Sequence, residues 1–422
     1  VITPSNMIHA HPLRALAIAV IALASLSLSA QINNRLESVQ LIQQGDMLLR
    51  LGNSEQALLA YTNAIQKDFA FADAYMKRAM LLSRLGQYTQ ALVDMDHALE
   101  LNPYSEYIYD RRAKVKILMN DTKGAEEDLD RAVALHPYDD LLRESRVDGL
   151  LAIGEVGKAL QELDTLLKHT PNDVMLLLKK GTAQLQSNDA VNALASFDQA
   201  LVEGPRYAIV HDLRGVALMR QQRWTDALAA FDKAIALNPG FDLAWYNRGL
   251  VHAKLGHPEQ ASTDMDKALS LAQDKPHIFF QRALNRKRDG DLVGAREDYD
   301  RALELSPDYL EAQYNRAFVR KQLGDHAGAL ADAENALRLA PDDPGVWIIK
   351  GNLHMLYGEF PQALECFDRA ISLDGSNANA FYNRGLAYHM QYQPIRGCDD
   401  LRQSSTLGLE RATDAMKYFC AF

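Results

Sequence analysis

Histidines, cysteines and carboxylates are the side chains of this chain with most capacity for chemistry. There are twelve His, three Cys and 55 Asp and Glu in 422 residues. A zinc hydrolase of the commonest helical type would carry HExxH, two histidines one turn apart with a glutamate between them, and no such run occurs. A nucleophilic serine on a strand-to-helix turn would show GxSxG, and a phosphate cradle would show GxxxxGKS/T or GxGxxG; none is present. His252 and His354 share one register position, defined below, and read as packed side chains rather than catalytic ones. Acidic residues are abundant, but abundance without a defined pocket does not argue for acid–base work. The expectation is no catalytic residue, no cofactor, no metal and no small-molecule substrate.

Charge and cysteine usage narrow the partners. Net charge is −10, with 45 Lys and Arg, which argues against nucleic acid, whose binders draw most of their affinity from cations set against phosphates. Cys366, Cys398 and Cys420 all fall after residue 365 and form no CxxC pair, so neither a disulfide-stapled scaffold nor a two-CxxC zinc framework is expected.

The first thirty residues read as a targeting segment. After Met7 come one cation, Arg14, the sixteen-residue and mostly apolar run from Ala15 to Ala30, and a small residue ahead of Gln31. That is the three-part plan of a secretory signal. The run is shorter than the ~20 residues that span a bilayer, which favours cleavage after Ala30 over an uncleaved anchor. Leu28 is larger than the residue usually preferred at its place before a cut. Residues 1–6 read as upstream translation or an alternative start. The expected setting is export to the periplasm or cell envelope, or secretion, with membrane contact only if the signal is retained.

The rest of the chain repeats. A frame begun at Ser38 and stepped by 34 gives eleven units ending at Arg411, without insertion or deletion. Position 20 is Ala in ten units, from Ala57 to Ala363, and Gly397 in the last; position 27 is Ala in nine, with Leu166 and Ser404 the exceptions. Small side chains at these spacings let two helices of a hairpin approach closely. Proline, which costs about 3 kcal/mol inside a helix, supplies an independent test. Seven prolines stand at position 32, and the other five within the repeats stand at positions 1, 17 or 18, all helix starts or ends. Gly recurs at position 15, from Gly52 to Gly358, where a hairpin turn needs positive φ.

These residues resemble the tetratricopeptide repeat: Trp245-Tyr246-Asn247-Arg248-Gly249, Gly256, Ala261 and Ala268 carry the likeness, as do Tyr314-Asn315-Arg316-Ala317 and Tyr382-Asn383-Arg384-Gly385. The resemblance implies an all-α fold, an α-α superhelix (a right-handed solenoid) of eleven 34-residue helix hairpins. The implied division is residues 1–30 signal, 31–37 lead-in, 38–411 repeats and 412–422 a capping helix. Solenoids need such caps because each unit buries its apolar face only against neighbours.

Position 7 is basic in ten consecutive units, Arg78 to Arg384, and position 25 acidic in nine, Asp96 to Asp368. Matched periodic charges predict a ladder of ion pairs between first and second helices rather than an anion-binding stripe. Cys398 falls on the last second helix and Cys420 on the terminal helix, expected to pack antiparallel, so a disulfide between them would pin the cap. Cys366 would remain free or pair with another molecule; three small buried hydrophobes are the alternative.

In the resembled family, first-helix positions 2, 5, 6, 9, 12 and 13 line the groove that holds peptides. That maps a groove onto Tyr246, Asn247, Leu250, Phe280, Gln281, Leu284, Tyr314, Asn315, Phe318, Tyr382 and Asn383, rings flanked by amides that suit an extended peptide. Lys254, Lys287, Arg288 and Lys321 would draw acidic partners. Position 5 of the N-terminal half, with Ile42, Met76, Asp110, Glu144, Leu178 and Asp212, reads as mixed and partly acidic. The family's clamp for a C-terminal carboxylate is not matched: the nearest set, Asn247, His277 and Gln281, lacks its cations. The functional expectation is a non-catalytic protein-binding scaffold. The alternatives are a regulatory or substrate-recruiting subunit of an envelope enzyme, and a structural spacer.

Overall fold

The computed structural model describes the backbone of residues 11–420 and the side chains of residues 29–420. Most of the expected signal segment, residues 1–10 wholly and the side chains of residues 11–28, therefore lies outside the described residues. Among the described residues there are 23 helices and no strand, and no helix is long and apolar enough to cross a membrane.

The chain falls into two compact units, Val1–Glu203 and Gly204–Phe422. The first contains α1 (His11–Arg50), α2 (Ser54–Lys67), α3 (Ala72–Arg84), α4 (Tyr88–Leu101), α5 (Glu106–Leu118), α6 (Thr122–Leu135), α7 (Asp140–Ala152), α8 (Val156–His169), α9 (Val174–Gln186) and α10 (Ala190–Glu203). The second contains α11 (Ala208–Arg220), α12 (Trp224–Leu237), α13 (Asp242–Lys254), α14 (Pro258–Leu271), α15 (Pro276–Arg288), α16 (Leu292–Leu305), α17 (Leu310–Gln322), α18 (His326–Leu339), α19 (Pro344–Leu356), α20 (Phe360–Leu373), α21 (Ala378–Met390), α22 (Pro394–Thr406) and α23 (Glu410–Phe419). Within each unit every odd-numbered helix up to α21 pairs with the even one after it, and successive hairpins stack.

The repeat explains the hairpin. All ten alanines at position 20 are wholly buried, as are most of those at position 27, so the two helices meet with only a methyl group between backbones. The turn is equally regular. All eleven residues at position 15 have positive φ, including the four that are not glycine: Asn120, Asn188, Gln222 and Tyr392. The next residue often caps the second helix: Asp121, Asp291 and Asp325 each accept from the backbone N–H three residues on, at 3.0, 2.9 and 3.0 Å.

Residues 31–37 are a continuous part of α1, with no proline or glycine among them. Arg35 pairs there with Asp68, donates to the Ala70 carbonyl at 3.1 Å and lies 4.3 Å over the Phe71 ring. The terminal helix begins at Glu410 and packs on α22, burying Ala412 and Ala415.

Candidate functional site

In the second unit α13, α15 and α17 lie side by side, as do α19 and α21, so their equivalent positions form rows. The hairpins hold Tyr246, Asn247 and Leu250 on α13, Phe280, Gln281 and Leu284 on α15, Tyr314, Asn315 and Phe318 on α17, and Tyr382 and Asn383 on α21. Tyr246 is half-buried, 5.1 Å edge-on from His277; burial, with Tyr309 nearby, pushes its hydroxyl up to about 12. The Asn247 amide donates to Asp212 at 3.0 Å, and Leu250 packs against the Met265 and Ile278 cluster.

Phe280 departs from the groove expectation. It is 7% exposed, its ring 4.9 Å from Tyr309 and 5.9 Å from Tyr299. Three rings that meet remove one another from water, so Phe280 belongs to the core rather than to a ligand surface, while Leu284 is half-buried against that cluster. Tyr314 donates its hydroxyl to Asp343 at 2.9 Å, and burial together with that bond raises its pKa. Asn315 accepts from Lys287 at 2.6 Å and donates to the Glu311 carbonyl at 2.8 Å. Lys287, whose pKa burial lowers, also stands 5.4 Å from the centre of the Phe318 ring. Phe318 itself remains 48% exposed. Tyr382 is half-buried, with the Arg411 guanidinium 4.6 Å over its ring. Gln281 and Asn383 are half-buried, and among the described residues their amides have no hydrogen-bonding partner.

The first unit contains a cavity that position 5 alone does not reveal. About 400 Å3 in volume, it is lined by Ile42, Phe71, Met76, Met80 and Tyr107, with Asp73 and Lys77 among its polar walls. Tyr107 donates to the Met80 sulfur at 3.2 Å. Met80 at position 9 and Tyr107 at position 2 stand in the register that marks the other unit, a signal that the expectation from position 5 left unused there. Conversely, Asp110 and Asp212 are buried rather than displayed. Asp110 accepts from Lys114 at 2.8 Å and from Ser145.

The charge ladder is a three-helix tie and not a simple hairpin pair. Arg112 holds Asp128, at position 23 of its own repeat, through two bonds of 2.8 and 2.6 Å, and reaches back to Asp96, position 25 of the preceding repeat, at 2.6 Å. Arg248 does the same with Asp264 and Asp232, Arg282 with Asp298 and Asp266, and Arg384 with Asp400 and Asp368. The expected partner therefore lies one repeat back, and the buried partner at position 23 was missed. Residue types at position 23 follow the cation. Where position 7 is Lys, as at Lys180 and Lys350, position 23 is Ser196 or Cys366. A point charge cannot make the fork's two-bond contact with a buried carboxylate. Arg214, opposite Ala230, is the exception.

His252 is half-buried and its pKa lowered, chiefly by burial. His354 is buried, its Nδ1 2.6 Å from Glu359. Cys398 and Cys420 are joined in a disulfide between α22 and the end of α23. Cys366 is a buried free thiol that burial pushes up to about 11.

Helix hairpins stacked in succession within each unit are the arrangement of an all-α solenoid. Family models described as TPR repeat or tetratricopeptide repeat match residues 72–105, 145–208, 213–284, 286–324, 310–343 and 351–391. The chain belongs to the tetratricopeptide repeat family, a protein-interaction fold that is generally non-catalytic. Among solved structures it is similar to a tetratricopeptide repeat protein from Parabacteroides merdae, at 20% identity and TM-score 0.45 over 58% of this chain and 97% of that one. It is also similar to the Cut9–Hcn1 hetero-tetramer of the APC/C, at 13% identity and TM-score 0.46 over 93% and 98%. Yeast Tom70 matches at 17% identity and TM-score 0.41 over 91% and 95%. No curated protein matches the chain.

Proposed function

We propose that this protein is a non-catalytic scaffold that holds extended segments of partner proteins along the first-helix face of its second unit, in the cell envelope of the organism that exports it. One observation carries the reading. Gln281 and Asn383 keep half-buried amides without internal partners, on the same helix face as the exposed Phe318 ring and the half-buried Tyr382 ring. An extended peptide offers what that face lacks: backbone groups for the amides and side chains for the rings. Tyr246 and Tyr314 frame the face; Phe280 supports it from beneath. The signal-like segment at residues 15–30 supports the envelope setting.

The test is a crosslinked capture from the native envelope with the wild type and with Gln281→Ala/Phe318→Ala/Asn383→Ala, captured proteins being identified and then rebuilt as overlapping peptides. Peptides that bind the wild type and are lost by a variant with an unchanged circular dichroism spectrum support the reading. Equal binding by both proteins moves the contact elsewhere.

A further inference from the structure

The last repeat breaks the pattern at three register positions that meet in space. Position 12 is otherwise chiefly aliphatic or Lys, and here is His389; position 21, Leu in seven of the other units, is Cys398; position 20, Ala in every other unit, is Gly397. A Cβ on Gly397 would stand 2.5 Å from Cδ2 and 2.7 Å from Nε2 of His389, and 2.8 Å from the Gly385 carbonyl oxygen. The most regular small-residue column of the array thus loses its methyl where the imidazole needs the space. The ring is held on its other side by Phe419, 5.1 Å away between centroids.

Nε2 of His389 lies 3.6 Å from the Cys398 sulfur, and the ligand atoms of His389, Cys398 and Cys420 all fall within 4.8 Å of one another. Three different helical segments bring them there: α21, α22 and the end of α23. With metal–sulfur bonds of about 2.3 Å and metal–nitrogen bonds of about 2.0 Å, tetrahedral geometry asks for a sulfur–nitrogen separation of about 3.6 Å. The histidine already stands at that distance. Opening the disulfide would let the sulfurs part to the roughly 3.8 Å of two thiolates on one ion.

We infer that His389, Cys398 and Cys420, once the disulfide is reduced, form a two-sulfur, one-nitrogen site for a thiophilic cation, Zn2+ foremost. A phosphine or dithiol reductant supplies two electrons, and two protons complete the pair of thiols. Each thiol then releases its proton as its sulfur binds Zn2+, His389 contributes the Nε2 lone pair, and water takes the fourth position. Soft thiolates and an imidazole select zinc or copper(I) over the hard cations. The same two cysteines therefore fasten the cap in either of two exclusive ways, covalently when oxidised and through a metal when reduced. The site shares α21 with Tyr382 and Asn383 but uses none of the residues proposed to hold a peptide.

The test is cobalt titration of the protein reduced with a phosphine under argon and freed of reductant, followed by zinc displacement against a chromophoric chelator. One Co2+ per chain is expected, with thiolate-to-metal charge-transfer absorption that is absent from the oxidised protein and lost on Zn2+ addition. His389→Ala is expected to weaken binding at least tenfold, and Cys420→Ser to abolish the band in a reduced protein whose circular dichroism spectrum is unchanged. Gly397→Ala should weaken binding by crowding the imidazole while the oxidised variant still forms its disulfide. Cys366, the remaining thiol, is buried, and Cys366→Ser should leave the band unchanged. Absence of the band in reduced wild type, an unchanged affinity in His389→Ala, or binding that survives Cys420→Ser would each overturn the proposal.

Discussion

Arg316 meets Asp332 edge-on, Nε to Oδ2 at 2.9 Å and Nη2 to Oδ1 at 2.6 Å, while its remaining nitrogen reaches Asp300 of the preceding repeat at 2.7 Å. Asp332 is 1% exposed. The guanidinium thus ties α16, α17 and α18 together and neutralises a carboxylate that water does not reach.

Removing Arg316 leaves that buried charge to Arg320 alone, whose Nη1 donates to Asp332 Oδ1 at 3.1 Å. With that second cation still in place, Arg316→Ala should destabilise the second unit by up to about 3 kcal/mol, whereas Arg316→Ala/Asp332→Ser, built on the residue that faces Lys180, should lose clearly less. A double-mutant cycle on chemical unfolding measures the coupling. Additive losses would show that the two-bond contact is not what holds the hairpin.

Gly181 faces Phe197 so closely that a Cβ would lie 2.4 Å from the ring. Gly181→Ala should therefore cost about 1–3 kcal/mol through overpacking. Adding Phe197→Leu should recover part of the loss, because the third repeat already combines Ala113 with Leu129, both buried. Thermal melting of the two variants checks this, and no recovery in the double variant would refute the packing account.

Gln222 holds φ at 59° where seven other repeats place glycine. A left-handed conformation costs a side chain about 1–2 kcal/mol, and glycine returns roughly 0.5–1 of that as lost entropy. Gln222→Gly should thus raise the melting temperature modestly, and Gly86→Ala should lower it. Opposite signs in the two melts are the expected result.

Burial holds the Asp212 carboxyl up at about 6 from the ordinary 3.8, with Asp242 adding to the rise and the Asn247 bond opposing it. The folded state then binds this proton more tightly than the unfolded chain. Stability from this group accordingly falls as pH rises from 3.8 through about 6. Asp212→Asn keeps an acceptor for Asn247 and removes the charge. It should be more stable than wild type by roughly 2–3 kcal/mol above that window, with the advantage fading toward its lower end. Melting curves across the range check the sign, and a pH-independent difference would refute it.

The register of the chain was decided locally. Glycine at position 15, alanine at 20 and 27, and proline at the helix ends each act within one hairpin, through φ, close approach or a missing N–H, so eleven hairpins were legible in the residues, while the positions expected to face a groove came from the family resemblance. What those positions touch was not. Phe280 and Tyr314 occupy equivalent places, yet Phe280 is sealed by Tyr309 and Tyr299 while Tyr314 is held by Asp343. The partner of each position-7 arginine at position 23, the cavity around Met80 and Tyr107, and the approach of His389 to Cys398 likewise depend on residues from different helices. A period fixes which way a side chain leaves its own helix, whereas burial and pairing depend on the neighbour's side chain across the contact. That neighbour differs from repeat to repeat, so only the tertiary structure decides which of the same-facing residues are core and which remain available to a partner.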